Sequence, residues 1–375
     1  MHLPPADPER LRAWSYHRQL LGAVSPDPAT ALHRVVAVYS AHPTAPLSLG
    51  ARVRDLTPGA FRALEEQRLA VRIVAMRGSG FLAPLELADD LVAATRRAGA
   101  LTPAALRARG LDEADYRDLK PRILEATRRP MTPAQLDRAL GTGPGDRRAY
   151  FAMRLMAREA LIVRVGAGRL RTDDLRWVAT DAWLGRPLGE VDPAAAVARL
   201  AAAYLAAYGP ARVEDLAWWA GLPRRRAAAA LAAVTTLDVG GGLLLRAADR
   251  DAWRDVAPVA EGAIDVLPKW DPYTMGHAPD GRARLVDDAH LDLAYSTAET
   301  RVGATAGDGL PLVLRNGRAV AAWSHRLEPG RIAVAVRPFV ADVAAAGALL
   351  EGARPAFAAI GRLLDDSVDV RLAGP

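Results

Sequence analysis

The chain has 375 residues, of which 51% are hydrophobic and 25% are charged, and it contains no cysteine. This length predicts a globular protein of two to four domains, and the lack of cysteine excludes disulfides, thiolate metal sites and a cysteine nucleophile. The net charge of +6 comes almost entirely from arginine, which favours a polyanionic partner, although a GC-rich coding sequence also produces an alanine- and arginine-rich chain.

Missing motifs narrow the classes of function further. The seven histidines never fall at the spacing of metal ligands, and no cofactor-binding motif is found, so we expect neither a metal nor a cofactor. The N-terminus does not read as a secretion signal. Charged residues interrupt the alanine-rich segments before the ~20 apolar residues that span a bilayer. We therefore expect a cytoplasmic, nucleoid-associated monomer without membrane contact.

Residues 1–95 are predicted to form a first winged-helix domain. Apolar spacing and aspartate caps predict helices over residues 7–23 and 27–40, with Leu11, Trp14 and Leu21 facing inward. Residues 57–84 read as a further helix and a β-hairpin that turns at RGSG. Helices followed by a hairpin are the elements of a winged helix.

Residues 96–190 repeat this order and are predicted to form a second winged helix. A Thr-Pro start predicts a helix over residues 131–141. Phe151, Leu155 and Met156 share one side of a helix predicted over residues 146–160. Residues 161–172 alternate around Gly166 and Gly168, which predicts the hairpin.

Residues 191–250 are predicted to form a third winged helix, and they contain the clearest turn between two helices, in DLAWWAGLPRRRAAAAL (residues 215–231). Gly221 can adopt the positive φ that ends a helix, and Pro223 suits the first turn of the next helix. The stretch LDVGGGLLLR then predicts a short hairpin. One of Trp218 and Trp219 is predicted to pack in the core while the other covers the edge of the domain; stacking on a DNA base is the alternative.

Residues 251–375 have mainly β-type patterns, with a turn signal at Asn316 and Gly317. A pair of helices is predicted over residues 340–366, and a last strand over residues 367–373. The predicted fold class is therefore α+β: three tandem winged-helix domains followed by a β-rich, barrel-like C-terminal domain.

Five stretches, spread in order over nearly the whole chain, resemble one family. They read RAWSYHRQLL, VRIVAMRGSGFLAP, AYGPARVEDLAWWAGLPRRRA, LPKWDPYTMGH and LVLRNGRAVAAW. The chain resembles the bacterial winged-helix DNA-binding superfamily that includes the AlkZ-like and YcaQ-like DNA glycosylases. The resemblance implies excision of bulky alkylated bases from double-stranded DNA and unhooking of interstrand crosslinks, in some members as self-resistance to a DNA-alkylating antibiotic.

The catalytic motif of that family is missing from this chain. Characterised members carry Gln-x-Gln or Gln-x-Asp after the second helix, where the side chains hold a water against the sugar carbon. Here the matching stretch reads AVYSAHPTAP. A neutral His42 could accept a proton from water while Ser40 or Tyr39 orients it. Alternatively, Tyr39 is a core residue, Ser40 ends the helix and His42 lies in a surface loop. Asp55 is a second candidate base.

Six arginines are predicted to contact DNA, at phosphates rather than at base edges. They open predicted second helices or lie on the first hairpin beside two glycines, where a backbone can approach a phosphate: Arg77, Arg147, Arg148, Arg224, Arg225 and Arg226. A solvated helix face is the alternative interpretation.

Asp271, Tyr273 and His277 lie close together in WDPYTMGH, but Asp-Pro-Tyr is more typical of a turn that leaves a strand. Three functions stay open on this sequence. The first is a glycosylase for N7-type alkylpurine adducts that lacks the glutamine pair. The second is a non-catalytic DNA-binding protein, either a damage sensor or a regulator. The third is a protein whose cleft sequesters the drug itself.

Overall fold

The computed structural model of this chain describes residues 3–41, 43–96, 102–108, 110–142, 147–166, 168–296 and 307–373. His42 therefore lies outside the described residues. Helices and strands alternate along the described chain, and the C-terminal sheet is curled into a half-barrel. These features confirm the α+β class. The number and limits of the winged-helix domains stay predictions.

The first 95 residues contain most of the predicted elements: α1 (Pro8–Arg18), α2 (Pro28–Arg34), β1 (Val38–Tyr39), α3 (Thr44–Gly50), α4 (Pro58–Glu66), β2 (Ala70–Val74), β3 (Gly80–Pro84) and α5 (Leu85–Thr95). The side chains of Asp7, Asp27 and Thr57 cap α1, α2 and α4 by accepting a backbone N–H in the first turn.

The predicted helix over residues 27–40 is wrong beyond Arg34, and Ser40 does not end it. The sequence continues with Val35, Val36 and Val38, whose β-branched side chains favour extended backbone. Val38 pairs with Leu82 of β3, which provides backbone partners that a longer helix would forgo.

Residues 96–190 form α6 (Pro103–Arg107), α7 (Glu113–Ala126), α8 (Pro133–Leu140), α9 (Arg148–Arg158), β4 (Ile162–Val165), β5 (Arg176–Ala179) and α10 (Thr180–Leu184). The hairpin predicted within residues 161–172 is wrong, because the partner of β4 begins only at Arg176. Gly166 serves a contact instead of a tight turn: its N–H donates to Glu65, and a Cβ there would lie 2.7 Å from that carboxylate.

The third part consists of α11 (Pro193–Tyr208), α12 (Val213–Ala220), α13 (Arg224–Ala232), β6 (Thr236–Asp238), β7 (Leu244–Arg246) and α14 (Arg250–Arg254). Gly221 has φ +70° directly after α12, as predicted. Trp219 is buried against Tyr204 and Tyr208, and Trp218 is half-buried. The core position predicted for one of the two tryptophans is confirmed for Trp219.

The C-terminal part contains β8 (Ile264–Leu267), α15 (Pro272–Met275), α16 (Leu291–Ala294), β9 (Leu312–Arg315), β10 (Arg318–Glu328), β11 (Arg331–Pro338), α17 (Val343–Leu364) and β12 (Ser367–Leu372). Among the described residues, four short 3-10 helices occur at Met76–Gly78, Ala247–Asp249, Pro279–Arg284 and Asp288–His290. Asn316 and Gly317, both with positive φ, form the predicted turn between β9 and β10.

The predicted pair of helices over residues 340–366 is wrong, because α17 runs through Pro355 as one helix. Proline removes one backbone hydrogen bond, but buried side chains on both sides of it, such as Leu350 and Phe357, hold the two halves on the sheet. By length and composition alone α17 could cross a membrane; this is weak evidence, since one stripe of the helix is packed against the core.

Two five-stranded sheets organise the described residues. The first has the order β1-β3-β2-β4-β5, and its two hairpins meet where Arg72 of β2 pairs with Arg164 of β4. The second has the order β12-β11-β10-β9-β8 and is antiparallel except for the parallel pair β11 and β12. Leu32 and Phe61 share one core with Trp323 and Phe357, so the N-terminal and C-terminal parts pack as one body.

Candidate active site

Tyr39 lies at the end of β1, where the family motif would be expected, and it is half-buried. Register with β3 sets its ring beside Phe81 at a centroid distance of 6.2 Å. On the other side the ring packs on Trp270 at 4.4 Å. Trp270 has φ +59°, a left-handed conformation that costs free energy in a non-glycine residue, so the surrounding structure must hold this ring against Tyr39.

Ser40 is buried and its backbone is fixed from both sides. Its N–H donates to the Gly80 carbonyl over 3.0 Å, and its own carbonyl accepts a hydrogen bond from the Arg72 guanidinium. Glu65 holds Arg72 in a buried bidentate pair, with N–O distances of 2.9 and 3.0 Å. A Cβ at residue 80 would lie 2.7 Å from the Ser40 hydroxyl. The main chain of residues 39–40 is therefore rigidly placed.

Asp55, the second candidate base, lies on the surface. Its side chain is 75% exposed and sits 3.4 Å from the Arg362 guanidinium of α17. Nothing among the described contacts joins Asp55 to Tyr39 or Ser40.

Two carboxylates act on the Tyr39 hydroxyl. Burial raises its pKa, and Asp173 and Asp308 raise it further, while Arg164 lowers it. Arg164 also forms an ion pair with Asp173, with an N–O distance of 3.4 Å. The hydroxyl thus stays protonated and can donate a hydrogen bond at neutral pH.

A stack of cations and aromatic rings lies beside these groups. The Arg77 guanidinium is 4.3 Å from the centre of the Trp218 ring, and the Arg282 guanidinium is 5.3 Å from that ring and 3.7 Å from the Tyr295 ring. Asp308 acts electrostatically on both arginines. We call Tyr39, Trp270, Arg77, Trp218, Arg282 and Asp308 the Tyr39 cluster.

The pKa values of the two arginines in the Tyr39 cluster are lowered, mainly by removal from water. Arg282 is almost fully buried, whereas Arg77 lies at the tip of the first hairpin, with its guanidinium against the Trp218 ring and part of the residue exposed. Arg77 has φ +53°, and its backbone lies against Gly221, where a Cβ would be 3.1 Å from the Arg77 nitrogen. The first hairpin therefore contacts the turn between α12 and α13.

The remaining predicted DNA contacts lie on the surface of two helices. Arg147 and Arg148 are exposed at the start of α9; Arg148 is 3.1 Å from Asp115, and Arg147 lies over the Phe151 ring. Arg224 and Arg225 are exposed and Arg226 is half-buried at the start of α13. Arg224 forms an ion pair with Glu214. An exposed pair of this kind is weak, so phosphates can compete for these arginines.

The residues in WDPYTMGH have structural partners. Asp271 is fully buried, caps α15 and holds Arg52 through distances of 2.8 and 2.9 Å. The Tyr273 hydroxyl donates to the Gly317 carbonyl. His277 donates from Nε2 to the Tyr208 carbonyl, and burial together with Arg284 lowers its pKa to about 3. These three groups stabilise the fold, in keeping with the predicted turn.

Sequence reasoning missed Arg282 and Asp308. Neither belongs to a recognisable motif, and both approach Arg77 only because the C-terminal part packs on the first hairpin. A single sequence contains no local signal for such a contact.

A sequence profile described as "DNA glycosylase AlkZ-like" matches residues 21–364. No curated protein matches the chain at a significant level. Among solved structures, the Streptomyces sahachiroi DNA glycosylase AlkZ matches with a TM-score of 0.73 and 20% sequence identity, over 98% of this chain and 100% of that one. The structural match shows a shared fold, and the profile covers most of the chain, so the chain belongs to the AlkZ-like DNA glycosylase family.

Proposed function

We propose that this glycosylase removes bulky N7-alkylated purines from double-stranded DNA, with residues 39–42 as part of its catalytic site. The observation that carries the proposal is the Tyr39 cluster. A protonated tyrosine, two tryptophan rings and two guanidinium groups lie together at the strand where the family places its motif. Aromatic faces suit a flipped base, and donors suit a bound water.

Release of the base requires little help from a general acid. A purine alkylated at N7 is already cationic, so it can leave as a neutral base without prior protonation. The enzyme must mainly position a water at C1′ and stabilise a sugar with oxocarbenium character. We assign Tyr39 and Ser40 to the orientation of this water, with His42 as the candidate that the sequence offers for the base that accepts its proton.

We assign six arginines to the DNA backbone. Arg77, Arg147, Arg148, Arg224, Arg225 and Arg226 lie on the first hairpin and at the starts of α9 and α13. Loss of one phosphate contact reduces the magnitude of the slope of log affinity against log salt by about 0.9. Arg225→Ala should show this change, and Asp55→Asn, on a distant surface, should not.

The direct test follows release of the base. A duplex with a single guanine is treated with a monofunctional nitrogen mustard, incubated with the protein, and analysed for free base by mass spectrometry. Abasic sites are scored with an abasic-site endonuclease. We expect release by the wild type, and rate losses of about 10²-fold or more for Tyr39→Phe or His42→Ala if these groups handle the water. Release that survives both substitutions would move the chemistry elsewhere.

The missing glutamine pair favours one alternative, a non-catalytic damage sensor or regulator. Tight binding of the adducted duplex without base release would support it. Binding of the free drug in the absence of DNA would instead support sequestration. We place the protein as a monomer on nucleoid DNA in the cytoplasm, and we propose self-resistance to a DNA-alkylating antibiotic as its role. Expression in a sensitive bacterium should then raise survival of that drug.

A further inference from the structure

Asp308 is held in a fixed position next to the aromatic pair of Tyr39 and Trp270. Its N–H donates to the Ser296 hydroxyl over 3.1 Å, and its carbonyl accepts from the Ser296 N–H over 2.9 Å. The next residue, Gly309, accepts a hydrogen bond from the Trp270 N–H over 3.2 Å. The backbone of Asp308 is therefore tied to the segment that places Trp270 against Tyr39.

The Asp308 carboxylate has charged surroundings but no direct partner within the described part of the chain. It is half-buried, and it acts electrostatically on the Tyr39 hydroxyl of β1, on Arg77 of the first hairpin and on Arg282. Arg282 does not pair with it, but donates to the Gly307 carbonyl over 2.8 Å. With no hydrogen bond from the described residues, the oxygens of this half-buried carboxylate are available to a ligand or a water.

Asp173, the other carboxylate that acts on Tyr39, differs in this respect. It forms an ion pair with Arg164 at 3.4 Å. Two carboxylates thus act electrostatically on one hydroxyl, and of the two only Asp173 forms an ion pair among the described contacts.

We propose that Asp308 is the general base of this glycosylase, in place of the missing glutamine pair; the inference rests on the proposed function. The water oxygen forms a bond to C1′ of the deoxyribose while the bond from C1′ to the purine nitrogen breaks. The electron pair of that bond neutralises the cationic purine, which leaves as a neutral base. Asp308 takes the proton of the water and later releases it to solvent. Tyr39 donates a hydrogen bond that orients the water.

With Asp308 as the base, His42 does not accept the proton of the water. A carboxylate near C1′ also stabilises the positive charge that develops on the sugar. The guanidinium groups of Arg77 and Arg282 keep the net charge of the cluster positive, so the anion does not repel DNA phosphates. Lys269, whose ammonium lies over the Trp270 ring, adds to this field.

The test compares Asp308→Asn with Asp173→Asn on the mustard-treated duplex under single-turnover conditions. Asparagine keeps the size of the side chain and removes the base. We expect Asp308→Asn to lose about 10²-fold or more of the chemical rate, with duplex affinity within threefold of wild type. Asp173→Asn should lose less than tenfold.

Several outcomes would overturn the inference. They are an Asp308→Asn rate within fivefold of wild type, or a larger loss in Asp173→Asn. Thermal melting checks that each variant folds, and Asp308→Ser replaces a variant that does not. If the wild type releases no base, the proposed function itself fails, and that result is distinct from an active enzyme that ignores the loss of Asp308.

Discussion

Arg52 and Asp271 join two distant parts of the chain through a fully buried ion pair. Arg52 also donates to the Ser48 carbonyl and to the Gln19 side chain. Removal of one partner leaves a buried charge without compensation, which typically costs about 3–5 kcal/mol. We therefore expect Asp271→Asn to lower the free energy of unfolding by about this amount in urea titrations.

The matched control for this pair is Asp55→Asn. Asp55 faces Arg362 from a mostly exposed position, and exposed pairs contribute little, about 0–1 kcal/mol. Equal losses in the two variants would show that burial does not decide the strength of the Arg52 pair.

His277 gives the fold a dependence on pH. Burial lowers its pKa from 6.5 to about 3. Between these pH values the imidazole is protonated in the unfolded chain and neutral in the folded chain. Stability must then decrease as the pH falls below 6.5, by about 2 kcal/mol between pH 7.5 and 5. Asp215, whose pKa is lowered from 3.8 to about 2, adds its own loss only at more acid pH.

Urea unfolding at pH 5 and 7.5 checks this expectation. His277→Gln removes the titration but keeps an N–H that can donate to the Tyr208 carbonyl. The variant should show a smaller difference in stability between the two pH values than wild type. An unchanged difference would assign the pH dependence to other histidines.

At the scale of elements, Gly221 links α12 to the first hairpin. It has φ +70°, and a Cβ there would lie 3.1–3.2 Å from the Arg77 backbone. Gly141 ends α8 with φ +67° and has no neighbour within 4 Å of such a Cβ. Gly141→Ala should therefore cost about 1 kcal/mol for the backbone alone, and Gly221→Ala should cost more because the hairpin must move.

Duplex binding distinguishes the two glycines further. Displacement of Arg77 should weaken affinity in Gly221→Ala and leave it unchanged in Gly141→Ala. Equal effects on stability and affinity would mean that the hairpin does not depend on the turn after α12.

Elements with a local signal could be predicted from sequence. Gly221 with Pro223, and Asn316 with Gly317, fix their turns through their own backbone preferences. The prediction of a hairpin at Gly166 is wrong because the absence of a side chain at this glycine serves the contact with Glu65, a residue far away in the chain. Among candidate site residues, Tyr39 can be predicted because it occupies the position of the missing family motif.

The partners of Tyr39 could not be predicted in this way. Trp270 and Asp308 reach it through packing of the C-terminal part on the first sheet, and a single sequence does not encode such contacts in any local pattern. The backbone preferences of neighbouring residues thus predict helices, strands and turns, whereas the chemistry of the site depends on how distant elements pack.

At the scale of the whole molecule, the N-terminal and C-terminal parts depend on each other. Leu32 and Phe61 share a core with Trp323 and Phe357. The predicted boundary at residue 250 falls at the start of α14, so a clean division lies in the loop after it, near residue 260.

We expect that fragments 1–260 and 261–375, expressed separately, each lack a cooperative thermal transition, because each exposes half of a shared apolar core. Mixed or co-expressed fragments should associate and regain both the transition and near-ultraviolet circular dichroism. Asp271→Asn in the second fragment should weaken this association, since Arg52 lies in the first. A fragment 261–375 that unfolds cooperatively by itself would instead identify the C-terminal part as an independent domain, and the Tyr39 cluster as an interface between two folded units.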